Sequence, residues 1–210
     1  MSAFIKTLAS YVPGLIIHRL AANPTPITTP ISEHFPAAVL FADISGFTAL
    51  TEHLAQQGPA GAEVLTRELN AYFGQLIDLI TIHGGDVIKF AGDALTAVWP
   101  VAIAADRDAL PLAAQQAATC ALAIQAALQD YQTRDGHRLA LRMGLGVGNI
   151  TLMHVGGVYG RWELVITGSP LSQVSQAEAH ATTAQSATRR ITAARERRVA
   201  NERRAANFAG

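Results

Sequence analysis

Two aspartates carry the chemistry most legible in this chain. Asp43 closes the apolar run Ala37-Ala38-Val39-Leu40-Phe41-Ala42, and Asp93 sits in Ala91-Gly92-Asp93, between two strand-like runs. Each acid alone is more often a strand-end cap or a turn residue. If the two strands lie side by side, both carboxylates project from the same edge of a sheet. Two hard oxygen ligands so placed suit Mg2+ or Mn2+, which bind through one or two carboxylates and complete their shell with substrate phosphates. The turn after Asp43 fits an anion. Successive backbone N–H groups of Ile44, Ser45, Gly46, Phe47 and Thr48, running into a helix start, make a concavity for phosphate, with Gly46 allowing close approach and Thr48 a candidate N-cap.

The elements that must position these groups follow from periodicity. Residues 37–43 read as a buried central strand. From Gly61 to His83, Leu65, Leu69, Tyr72, Leu76 and Ile80 step by four and three along one helix face, and Gly84-Gly85 stops that helix. Asp86–Phe90 and Ala94–Trp99 form a hairpin with Asp93 at its tip. A second long helix is expected over 110–131, with Leu110, Ala114, Ala117, Ala121, Ile124, Leu128 and Tyr131 on one face. Strict alternation through Leu139, Leu141, Met143, Leu145 and Val147 marks another strand. Further strands are expected between Gly144 and Gly160 and at Leu164–Ile166, before a helix opening at Pro170. The order β-α-α-β-β-α-β-β-β-α implies an α+β fold, close to a ferredoxin-like βαββαβ core with helices packed on one face of the sheet.

Three regions are expected: a packing segment and extended connector over 1–36, a globular domain over 37–180, and an Arg/Ala-rich tail over 181–210 that is a solvated helix or disordered. Half of the residues are hydrophobic and 15% are charged, enough to bury a core. The net charge of +0 hides an asymmetry: residues 1–180 hold 9 Lys/Arg against 14 Asp/Glu, whereas the tail holds 7 Arg against 2 Glu. A body at −5 is a poor nucleic-acid surface, so nucleic-acid binding is not expected. No apolar run is long enough to span a bilayer, no signal peptide is read, and the single Cys120 points to a reducing compartment. A cytoplasmic location is therefore expected. The histidines (His18, His34, His53, His83, His137, His154, His180) show no metal-ligand spacing. Tyr72, Phe73, Trp99 and Trp162 read as core or interface.

Phe41-Ala-Asp-Ile-Ser-Gly-Phe-Thr48 together with Gly84-Gly-Asp-Val-Ile-Lys-Phe-Ala-Gly-Asp-Ala-Leu95 resembles the class III adenylate/guanylate cyclases. The likeness is nearer to the first cyclase domain of soluble, bicarbonate-responsive adenylyl cyclases and their bacterial relatives. Leu8-Ala-Ser-Tyr-Val-Pro-Gly-Leu-Ile16 also looks like the segment that precedes that domain. Diguanylate cyclases match less well, because Gly84-Gly85-Asp86 is followed by Val-Ile and not Glu-Phe. The resemblance implies conversion of ATP to cyclic AMP and pyrophosphate at a dimer interface. It makes Asp43 and Asp93 ligands of two Mg2+ or Mn2+ ions, assisted by the Ile44 carbonyl.

It also places Arg142 on the triphosphate, although an exposed strand arginine is an equal reading. Lys89 falls at the purine-recognising lysine of homodimeric members, at an anion site of the tandem soluble enzymes, or is a plain surface lysine. The chain departs from the family where a partner normally finds its transition-state Asn and Arg, because Ser172 and Gln176 stand there, and Val165 stands at the base-selecting position. Gln176 brings no charge to the phosphate. The pattern implies a metal-donating half-site that pairs with a second cyclase domain, as a homodimer or, for activity, with a complementary domain. The alternative is a catalytically silent cyclase homology domain that binds nucleotide or a partner cyclase and regulates it.

Overall fold

The computed structural model describes Thr7 and residues 11–102, 108–129, 131–134 and 136–180, with backbone alone for 178 and 179. The tail expected over 181–210 lies outside the described residues, as does Leu8 of the N-terminal segment. The chain runs α1 (Gly14–Ala22), β1 (Ile31–Ser45), α2 (Phe47–Ala55), α3 (Pro59–Ile82), β2 (Asp86–Ala91), β3 (Ala94–Pro100), α4 (Ala109–Leu128), β4 (Tyr131–Gln132), β5 (Arg138–Gly156), a short 3-10 turn (Val158–Gly160), β6 (Trp162–Gly168) and α5 (Ser169–Ala179). The strands form one antiparallel sheet in the order β2-β3-β1-β5-β4, with β6 on the far half of β5.

Alternation decides which side chains meet which helices. The even residues of β1 (Ala38, Leu40, Ala42, Ile44) and the odd residues of β5 (Leu139, Leu141, Met143, Leu145) share a core with Leu50 and Leu54 of α2, Tyr72, Leu76 and Ile80 of α3, and Ala117, Ala121, Ile124 and Leu128 of α4. Each large side chain buried there contributes about 1.5–3 kcal/mol. Trp99 is buried in this layer and donates its indole N–H to the His83 carbonyl at 2.8 Å. Cys120 is buried too, and burial pushes its thiol up to about 12.

The expected α+β architecture is present, with α2, α3 and α4 on one face. The other face is partly covered as well. Ala37, Val39, Ile88, Val98 and Ile150 pack against Leu15 of α1 and against Leu171 and Val174 of α5. Helix α5 comes close because β5 presents glycine where it crosses: a Cβ on Gly146 would run into the Pro170 backbone carbonyl. Helix α1 has no fully buried residue, and a polar grip is added to the contact of Leu15. The Asp86 carboxylate accepts the N–H groups of Gly14 (2.8 Å) and Leu15 (2.7 Å), an anion set on a helix N-terminus.

Three local expectations are corrected. The connector expected to Pro36 ends earlier, because residues 31–36 already pair with 149–154 of β5. Their polar pattern (Ser32, Glu33, His34) hides a strand whose partner lies over a hundred residues away. Tyr131 is not on α4, since the helix ends at Leu128 and Tyr131 pairs with Leu139 in β4. The Gly144–Gly160 stretch holds no separate short strands before β6: β5 runs unbroken for 19 residues. Among the described residues, no helix is long and apolar enough to cross a membrane.

Candidate active site

Asp43 is the last acid of β1 before the turn, and Asp93 lies in the two-residue turn joining β2 to β3. The β1–β3 register sets Asp43 opposite Ala94, the residue after Asp93. The Ile44 N–H donates to the Asp93 carbonyl at 3.3 Å. The two acids, fifty residues apart in sequence, thus occupy neighbouring strands at the same end of the sheet. Both are half-buried.

On the other side of β1, Arg142 stands opposite Asp43 in the β5 register. Its Nη2 donates to Asp43 Oδ2 at 2.7 Å. The side chains are 38% and 20% exposed, so the pair is partly shielded from water and counts for more than a surface bridge.

The turn after Asp43 differs in detail from the expected phosphate cradle. Gly46 adopts φ 92°, a left-handed conformation that glycine reaches without strain, and it is the residue that caps α2. Its carbonyl accepts the Leu50 N–H at 3.2 Å. Thr48 is therefore inside α2 and is not the N-cap, because the helix begins one residue after the glycine kink. The Ile44 N–H is spent on Asp93 and cannot serve a phosphate. The first-turn amides of α2, Phe47 and Thr48 among them, have no intrahelical acceptor and carry the positive end of the helix dipole.

The donor set suits a hard divalent cation. Asp43 and Asp93 supply carboxylate oxygens, and the Ile44 carbonyl lies in the same strand end. Among the described residues, no three His, Cys, Asp or Glu side chains cluster as a metal cage. An ion held here would need water or phosphate oxygens to fill its shell, which is the habit of magnesium.

Lys89 lies on β2 and pairs with Glu163 of β6 at 2.7 Å. The hydrogen bond from Lys89, followed by its charge, holds the Glu163 carboxyl below its usual value. Both groups are exposed, so the bridge adds little stability. Glu163 was not singled out in the sequence. The available signal was its place two residues before Val165, on the same face of β6.

Ser172 and Gln176 are both exposed on α5, one helical turn apart. Between them, Gln173 does what the sequence did not suggest. Its carboxamide accepts the Val147 N–H and donates to the Val147 carbonyl, both at 3.1 Å, in the manner of a neighbouring strand. Ser172 and Gln176 therefore face outward from a helix anchored to β5.

The family model for the adenylate and guanylate cyclase catalytic domain matches residues 30–194. Adenylate cyclase type 10 of Rattus norvegicus is 34% identical over 164 residues, which is 77% of this chain and 10% of that protein. The chain thus spans about a tenth of the length of the curated relatives it matches first. The crystal structure of the guanylyl cyclase Cya2 is 26% identical, with a TM-score of 0.57 over 72% of this chain and 73% of that one. The adenylyl cyclase CyaB from P. aeruginosa is 25% identical, with a TM-score of 0.55 over 71% and 74%. The family model spans most of the chain, which therefore belongs to the family of adenylate and guanylate cyclase catalytic domains.

Proposed function

We infer that the domain converts ATP to cyclic AMP and pyrophosphate, with this chain supplying the metal-binding half of a site completed by a second cyclase domain. The observation that carries the reading is the meeting of Asp43 and Asp93 at one end of the sheet, beside the start of α2. The preference for ATP rests on the likeness to adenylate cyclase type 10.

Asp43, Asp93 and the Ile44 carbonyl would hold two Mg2+ or Mn2+ ions. When bound, such ions supply Lewis acidity and charge neutralisation for a triphosphate. The amides that open α2 orient phosphate oxygens, with Gly46 keeping the backbone low enough for contact. Arg142 adds a cation within reach of the same end of the sheet. In the overall reaction the ribose 3′-oxygen bonds to the α-phosphorus, the bond to the bridging oxygen of pyrophosphate breaks, and the 3′-hydroxyl proton is lost. Ser172 and Gln176 carry no charge for that phosphate, so the transition-state donors come from the partner.

Cyclic AMP formation tests this directly. The purified chain alone should be slower by about 10²–10³-fold per missing donor than a mixture with a cyclase domain that retains Asn and Arg at the positions of Ser172 and Gln176. Asp93→Ala on this chain should remove the gain. Nucleotide binding with no turnover in any such mixture would point to a silent, regulatory domain.

A further inference from the structure

The Asp43–Arg142 pair is fixed by strand register. The two residues are direct partners in the β1–β5 ladder, so their side chains emerge on the same face. The neighbouring pair on that face is Phe41 with Gly144. The contact is a charge-assisted hydrogen bond of 2.7 Å to Oδ2. That oxygen belongs to a residue read above as a metal ligand. A guanidinium N–H and a divalent ion compete for it, and as like charges at contact distance they repel each other.

We propose that Arg142 is the resident counter-cation of the metal-free site, and that its departure from Asp43 is coupled to loading of the divalent ion. The proposal rests on the reading of Asp43 as a metal ligand. Displaced from Oδ2, the guanidinium has a planar fork of donors matched to phosphate oxygens. It therefore opposes metal arriving alone and favours metal arriving with a triphosphate. The two ligands become coupled through one side chain, and the coupling is reciprocal. Arg142 is then a positioning residue before nucleotide binds and a phosphate contact afterwards.

Mn2+ binding followed by electron paramagnetic resonance separates these roles. Arg142→Gln should bind Mn2+ alone about fivefold more tightly than the wild type, the scale of a partly exposed ion pair. In the presence of a non-hydrolysable ATP analogue the same variant should bind Mn2+ about tenfold more weakly. A variant that merely damaged the site would weaken both. Unchanged or weaker binding of Mn2+ alone would overturn the exchange. If the wild type binds no Mn2+ with or without the analogue, or if Asp43→Asn changes nothing, the metal-site reading itself falls. Should Arg142→Gln fail to fold, the Arg142 Nε–H resonance of the wild type, assigned by its loss in Arg142→Lys, must shift on adding Mg2+ alone. A resonance that stays in place would overturn the proposal.

Discussion

The Ile44 N–H donates to the Asp93 carbonyl at 3.3 Å, which ties the end of β1 to the turn of the β2–β3 hairpin. This bond extends the β1–β3 ladder one step past Asp43 and Ala94. Its position makes the spacing of the two acids a property of the sheet and not of a mobile loop. The amide it uses is one that a phosphate would otherwise have reached.

Such an arrangement predicts strict metal dependence of nucleotide binding. A triphosphate beside Asp43 and Asp93, which share the single cation of Arg142, is repelled. In calorimetry, a non-hydrolysable ATP analogue should bind at least about tenfold more weakly in chelator than with Mg2+ or Mn2+. Asp43→Asn and Asp93→Asn should each abolish the metal-dependent share. Equal affinity with and without metal would sink the assignment.

Stability should fall on mild acidification through His154. This residue of β5 is only 5% exposed, and its buried Nε2 has no hydrogen-bond partner among the described residues. Burial pushes its pKa below the ordinary 6.5, and Arg19 of α1 adds to this, while Glu33 of β1 opposes it. The folded state thus prefers neutral imidazole, and the unfolded chain takes up the proton first. The stability this gives is complete above about pH 6.5 and is lost as pH falls through the lower folded value. Calorimetric melting between pH 7 and 5 should show a declining Tm, and His154→Phe should flatten that decline. An unchanged slope in the variant would rule His154 out as its source.

Asp86 should matter for stability. Its carboxylate holds the Gly14 and Leu15 amides, and α1 buries no residue of its own to replace that hold. Asp86→Ala should cost about 1–2 kcal/mol in urea unfolding. Amide exchange at Gly14 and Leu15 should speed up, whereas exchange in α3 should not. Protection of those two amides in the variant would show that apolar packing of Leu15 suffices.

Gly146→Ala probes the anchoring of α5. The added methyl meets the Pro170 backbone, which cannot yield as a flexible side chain would. Overpacking of this kind costs about 1–3 kcal/mol. It should also push α5 away from β5 and break the two hydrogen bonds between Gln173 and Val147. A Tm within a degree or two of wild type would show that the helix can slide.

The elements themselves were legible because each is encoded locally. The apolar run ending in Asp43, the four-and-three spacing from Leu65 to Ile80, and the alternation from Leu139 to Val147 each name an element and its buried face. Asp43 and Asp93 are legible only as a pair, because an acid at a strand end or in a hairpin turn is by itself more often structural. Other features depend on partners remote in sequence. Residues 31–36, with Ser32, Glu33 and His34 at their centre and Pro36 at their end, lack a strand's apolar pattern and pair because β5 runs on far enough to meet them. Tyr131 continues the α4 spacing but is taken into β4 by Leu139.

Local propensity and periodicity, both written in the sequence, suffice for Asp43, its glycine turn and a helix start to follow one another, and for Asp93 to take a hairpin turn fifty residues on. What each group touches depends on long-range register and packing. The register of β1 with β5 set Arg142 on Asp43, and the β1–β3 ladder gave the Ile44 amide to Asp93. Packing of the remaining elements brought Glu163 to Lys89 and Gln173 to Val147. Register and packing are choices among many long-range pairings, settled by the total burial of both sheet faces, and no short stretch of sequence contains that sum.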